Sequence, residues 1–200
     1  MNRKLPIAIA VTIVFLVQSA TIVWMVWDRM QILTKGEIVK LDVKPVDPRD
    51  IFRGDYVILN YEMAELIPDL LGSTEHFSAH DHVYVEIEEQ RSGTWKAVSI
   101  HTVKPEPRVG RVVIAGRVQS AYEMSSGGDA ASGCRNDTCQ RLHIKYGIES
   151  YFVPEGQGRE IETARNESKV VILAAVDASG ASAIKGLIID GELRYEEPLF

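Results

Sequence analysis

Twenty-three consecutive residues, Leu5 to Trp27, contain no Asp, Glu, Lys or Arg, and this run constrains the chain more than any other feature. As a helix it would be about 34 Å long, at about 1.5 Å per residue. That length crosses a hydrocarbon core of about 30 Å with slight tilt. Pro6 falls in the first turn, where its missing N–H has no partner to lose. Arg3 and Lys4 precede the run, and Asp28 and Arg29 follow it. The positive-inside bias therefore holds the N-terminus in the cytoplasm and sends the rest outside. Trp24 and Trp27 stand at the outer end, where indole rings favour the headgroup layer. A cleavable signal peptide is the competing expectation, because Val17-Gln-Ser-Ala20 resembles a small-residue cleavage site. The apolar run continues to Trp27, longer than an ordinary signal-peptide core. The expectation is an uncleaved anchor over residues 1–30, in contact with the lipid bilayer through residues 5–27. Residues 31–200 would form one domain outside the cytoplasm.

Arg3 and Lys4 are the only charges before Asp28, so the −6 of the whole chain becomes −8 for residues 28–200. An acidic domain is not built to lie flat on anionic lipid, and nucleic acid is excluded as a partner. Cys134 and Cys139 are the two cysteines, and both fall in the Gly- and Ser-rich stretch from Ser125 to Cys139. Outside the cytoplasm such a pair reads as a disulfide, with two unpaired thiols as the alternative. A metal site would need two more ligands. A redox pair would have two residues between its cysteines, where this chain has four.

Beyond a short polar neck, Asp28 to Lys35, the apolar pattern changes from continuous to alternating, which is the strand signal. Val39, Leu41 and Val43 alternate with Lys40, Asp42 and Lys44, and Pro45 and Pro48 break the chain. Tyr56 to Tyr61 predicts a second strand. Glu62 to Leu71 predicts one or two helical turns, interrupted at Pro68. Val83, Val85 and Ile87 pair with Trp95 to Val103 in a hairpin through Arg91-Ser-Gly. Val112 to Met124 is a longer strand, and Leu142, Ile144 and Tyr146 alternate again. Arg159 to Glu167 predicts a short charged helix. Val170 to Val176 and Ala183 to Ile189 are strong apolar strands joined by the turn Asp177-Ala-Ser-Gly-Ala, and a last strand follows near Leu193 to Glu196. About eight short strands with few helices predict a mainly β or α+β fold: a sandwich, a barrel or an antiparallel sheet with helices.

The densest motif runs from Pro45 through Arg49, Asp50 and Arg53 into Gly54-Asp-Tyr-Val-Ile-Leu-Asn-Tyr61. Gly54 can take a positive φ, Asp55 can accept backbone N–H groups, and the neighbouring charges can pair around the turn. Tyr56 and Ile58 would face one side of the strand; Val57, Leu59 and Tyr61 would face the other. Gly54 to Tyr61 matches letter for letter the pattern of the GDYXXLXY family, a group of membrane-anchored bacterial proteins. A second stretch, from Tyr151 through Pro154, Glu155 and Gly156 to Glu162, resembles that family too, and Ile184 to Glu192 is similar to its ending. The resemblance covers nearly the whole chain except the cysteine loop. It implies a bacterial inner-membrane protein with one anchored domain and assigns no activity.

Other residues invite chemistry. Arg53-Gly-Asp55 before an apolar strand also occurs in signal-peptidase-like serine proteases. Those enzymes need a serine nucleophile upstream, and no serine stands between Ser19 and Ser73. His76, His80 and His82 lie within seven residues beside Asp81 and could hold Zn²⁺ or Cu²⁺, or be a solvated loop. Glu155, Glu160 and Glu162 could form a carboxylate pair, or could sit in a turn entering a helix. Gln18, inside the apolar run and beside Ser19, could hydrogen-bond to a second membrane helix. No cofactor is expected. Two functional readings follow: an accessory module that docks on another integral membrane protein, or a small-ligand, metal-binding or hydrolase domain. The second would work around Arg49 to Asp55 and Tyr151 to Glu162. A deep pocket between these segments would favour it, and a flat surface the first.

Overall fold

The computed structural model describes residues 4–44, 56–125, 138–152, 161 and 170–197. One helix leads, α1 (Lys4–Lys35). Its described apolar span has none of its surface buried against the rest of the chain, and it is long and apolar enough to cross a membrane. The stretch from Asp28 to Lys35, expected as a polar neck, is instead the last part of this helix. Packing explains the difference. Ile32 and Leu33 are buried against Ala175 and Ala183, so two apolar side chains among polar ones reward another helical turn. Lys35 in the last turn suits the negative end of the helix dipole. The Gly36 N–H closes the turn on the Ile32 carbonyl at 2.9 Å.

Strands follow at once: β1 (Glu37–Lys44), β2 (Tyr56–Ile58), β3 (Asn60–Tyr61) and β4 (Glu65–Leu66), the last flanked by 3-10 turns at Glu62–Ala64 and Pro68–Leu71. These turns stand where the sequence predicted interrupted helical turns. Next come β5 (His82–Glu89), β6 (Trp95–His101), β7 (Arg111–Ser125), β8 (Thr138–Lys145) and β9 (Ser150–Phe152). The described chain closes with β10 (Val170–Val176), β11 (Ser182–Ile189) and β12 (Glu192–Glu196). The expected strands are present as strands, except that Tyr56 to Tyr61 is divided in two, and short strands the sequence did not single out join them. Of the expected helix at Arg159–Glu167 only Ile161 is described, and it is helical and fully buried.

Two five-stranded sheets form, in the orders β12-β11-β10-β1-β3 and β4-β8-β7-β5-β6, and β2 pairs with β9 as a separate ribbon. All the described pairings are antiparallel. Alternation sets the faces. In the first sheet Val39, Leu41, Val43, Ile172, Ala174 and Leu187 enter the core. In the second Val83, Val85, Ile87, Ile114, Leu142 and Ile144 enter the same cluster. The result is a mainly β fold behind one N-terminal apolar helix.

The helix end sits on the outer face of the first sheet. Ala174 and Val176 point into the shared core, whereas Ala175 lies under Ile32 and Leu33. The Arg29 guanidinium adds a hydrogen bond to the Ser182 carbonyl at 3.0 Å. No linker separates helix from sheet: Glu37, two residues past Lys35, is already paired with Val176.

Candidate functional site

Sequence analysis expected one strand from Tyr56 to Tyr61, and the structure divides it. Tyr56 and Val57 pair with Phe152 and Tyr151 in the ribbon, whereas Tyr61 pairs with Val43 of β1. The two motif stretches, distant in sequence, are therefore bonded neighbours. Between them the Leu59 N–H bonds to the Glu149 carbonyl at 2.8 Å. Leu59 and Tyr61 face inward and are about 1% exposed, while Ile58 is 41% exposed, the alternation expected. The Tyr61 hydroxyl donates a hydrogen bond to the Ile148 carbonyl. Burial, reinforced by the nearby Glu149 charge, raises the Tyr61 phenol well above its ordinary value. The Glu149 carboxylate in turn accepts the backbone N–H groups of Tyr146 and Gly147. The Tyr146 hydroxyl donates to the Met63 carbonyl at 2.7 Å. The second half of the motif thus clamps the turn between β8 and β9 onto the chain that leaves β3. Tyr151 is buried, and its phenol is raised first by burial and then by Glu197 and Tyr195.

Arg49, Asp50, Arg53, Gly54 and Asp55, and Pro154, Glu155, Gly156, Glu160 and Glu162, lie outside the described residues. Cys134 lies outside them too. Cys139 is buried on β8, opposite Met124 of β7. Gln18 is on the exposed surface of α1.

The three histidines are not brought together as the sequence pattern suggested. His76 contacts Gln140, its Nε2 lying 3.3 Å from the amide nitrogen. His82 places its Nε2 2.8 Å from the Arg117 guanidinium. His80 has a positive φ of 75° and spends its backbone N–H on the Val118 carbonyl. Among the described residues no group of three or more His, Cys, Asp or Glu side chains is placed to hold a metal. The arrangement accords with the loop alternative for His76 and His80, while His82 opens β5 and meets Arg117 on the neighbouring strand.

A polar cluster that the sequence reading missed lies on the opposite side of β5 from the core. Glu86 is 1% exposed. Ser99, its cross-strand partner on β6, donates a hydrogen bond to Glu86 Oε2. The same oxygen lies 3.4 Å from Arg111 and 3.7 Å from both Arg108 and His101. Arg111 also binds Glu88 at 3.0 Å. Burial works against the Glu86 charge, but the Ser99 bond and the neighbouring Arg108, Arg111 and His101 side chains outweigh it and hold the carboxyl below the ordinary glutamate range. Its Oε1 is buried with no hydrogen-bond partner.

His101 Nε2 lies 2.9 Å from Ser99 Oγ, a spacing that invites comparison with a nucleophile–base pair. The hydroxyl proton of Ser99 is already committed to Glu86, so the 2.9 Å contact is made by His101 N–H donating. An imidazole in that state cannot take the serine proton. The cluster is a charge network that straps the β6–β7 loop to β5. The signal that could have revealed it is the alternation Tyr84, Glu86, Glu88 with Ser99 and His101 on the facing strand.

Two clefts are among the best formed on the described surface. One, of about 220 Å³, is lined by Met63, Leu66, Leu70 and Trp95, with Lys96 and Glu62 paired at 3.1 Å on its rim. The other, of about 190 Å³, is polar and includes Glu75, His76, Glu123 and Gln140. Neither is lined by a residue of β2, β3 or β9.

Helix, sheets and motif clamp together define a mainly β domain carried directly on one apolar helix. Within that class the chain belongs to the GDYXXLXY protein family, whose profile matches residues 18–187. The match begins inside α1 and ends in β11, so the helix end, the motif, the second sheet and the first sheet apart from β12 and the last residues of β11 fall within it. No curated protein and no solved structure is significantly similar to the chain.

Proposed function

We propose that this protein is a single-pass accessory module of a bacterial inner membrane, with its N-terminus in the cytoplasm and its β domain outside, and that it binds another integral membrane protein without catalysing a reaction. The observation that carries this reading is the exposed apolar helix that enters the sheet without a linker. Such a helix presents its whole circumference to lipid or to a neighbouring helix, and the domain it carries is held at one angle to it. Gln18 then offers an amide for an interhelical hydrogen bond. Neither of the two clefts described above is lined by a described motif strand, which supports docking over ligand binding.

A Cys134–Cys139 disulfide belongs to the same reading, because an extracytoplasmic domain meets an oxidising compartment. It is supported by the lack of a free cysteine among the described residues.

The test is co-purification of the full chain from its own membrane in mild detergent, with Gln18→Leu alongside. One integral membrane protein should be recovered in fixed ratio, and the substitution should reduce its recovery several-fold. A chain that migrates alone in both preparations, intact and folded, would end the proposal.

A further inference from the structure

The second sheet does not close on itself. Its edge strands are β4 and β6, and the apolar cleft lies between them. Leu66 of β4 lines one side, Trp95 and Ala97 of β6 the other, with Met63 and Leu70 from the two 3-10 turns. Side chains bridge the gap at either end of β6. Lys96 meets Glu62 at 3.1 Å, and the Thr102 N–H meets the Glu75 carboxylate at 2.9 Å.

The register tells which backbone groups of β6 face the gap. The Gln90 N–H bonds to the Thr94 carbonyl at 2.8 Å. The pair that follows, Glu89 with Trp95, is then of the kind whose backbone groups point away from each other. Lys96 bonds back to Glu88, and Ala97 again turns its N–H and C=O outward. No described strand pairs with β6 on that side. Glu86 opposes Ser99 while Ile87 opposes Ala97, so Val98 is a bulge that ends the regular edge. Size decides what the cleft can hold. Its volume of about 220 Å³ falls below the roughly 300–1,000 Å³ of sites that enclose a drug-sized ligand. It suits one large apolar side chain, which would meet Leu70, now 57% exposed. Charge decides what stands beside it. Glu62 is matched by Lys96, whereas Glu65 is exposed and has no ion-pair partner among the described residues.

We infer that the free edge of β6 takes an extended segment of another protein chain. The segment pairs with Trp95 and Ala97, drops a large apolar side chain into the cleft and sets a neighbouring Lys or Arg against Glu65. Main-chain bonds along the edge supply affinity, and the cleft with its one unmatched carboxylate supplies selectivity. The site goes beyond the helix contact proposed above and stands without it.

The experiment pans the full chain in detergent against a phage-displayed library of short random peptides, and an enriched peptide is then made with a fluorophore. Enriched sequences should share a large apolar residue beside Lys or Arg. The peptide should slow amide exchange at Trp95 and Ala97. Leu70→Asp and Glu65→Lys, both at exposed positions, should each weaken its binding several-fold, and a peptide with Glu in place of the cation should regain binding to Glu65→Lys. Ala97→Pro, which deletes an outward N–H and no bond to β5, should weaken binding as well. Binding indifferent to all three substitutions, or a library that enriches nothing over detergent alone, overturns the inference. Apolar peptides without a cation, bound equally by Glu65→Lys, overturn the partner's chemistry. If Leu70→Asp and Glu65→Lys both lower the melting temperature of the chain with no peptide bound, the cleft is filled from within and the inference falls.

Discussion

At the residue scale, Tyr61 shows how a motif letter acquires a physical reason. Its ring fills the core and its hydroxyl meets the Ile148 carbonyl. The ring was legible from alternation with Leu59. The hydroxyl's partner was not, because it lies 87 residues away in a turn that periodicity does not place. Tyr61→Phe removes the donor and leaves a buried carbonyl short of a bond, so the full chain in detergent should lose about 1–3 kcal/mol of stability. Unchanged denaturant unfolding would refute the clamp. Glu86 makes a second case. Its carboxyl is held below the ordinary glutamate value in the folded state, so the unfolded chain binds protons first as pH falls. The stabilisation is complete above the unfolded value of about 4.3 and is lost as pH drops through the folded one. Melting temperature should therefore fall in acid, and Glu86→Gln should flatten that limb. Coincident acid limbs for the two proteins would remove Glu86 from the account. Sequence showed a Glu on an alternating strand; it could not show that Ser99, His101, Arg108 and Arg111 converge on one oxygen, since strand register and loop path decide that.

At the scale of elements, regular strands were readable and junctions were not. Val39, Leu41 and Val43, and Val83, Val85 and Ile87, announced both sheets through period two. The division of Tyr56–Tyr61 between the ribbon and β1 was invisible, because both halves share one alternation and only pairing partners differ. The helix end was misplaced for a related reason: polar residues after Trp27 looked like a neck until Ala175 and Ala183 supplied a surface for Ile32 and Leu33. Gly36 is the pivot of that junction. A Cβ there would lie 2.5 Å from the Ile32 carbonyl oxygen and 2.9 Å from the Val176 nitrogen, both backbone atoms that cannot swing aside. Gly36→Ala should cost about 1–3 kcal/mol and loosen the helix from the sheet. Hydrogen exchange of the Arg29–Lys35 amides, faster in the variant than in the parent, checks it; equal protection would mean the junction has room to spare.

At the scale of the whole molecule, the family pattern and the alternation together carried the architecture, while the charge network around Glu86 and the fastening of the β6–β7 loop emerged only in three dimensions. The absent linker between α1 and β1 has a mechanical consequence. A domain on a flexible tether would sweep a hemisphere above the bilayer and meet partners by search. This one is a pointer fixed to its shaft. In the anchored state, a membrane helix leans by about 20° on average and leans further where its apolar run exceeds the thickness of the surrounding lipid, and every degree of that lean is passed to the sheets above. The heading of the domain would then follow bilayer thickness, so lipid composition could present or withdraw its outer strands without any change in fold.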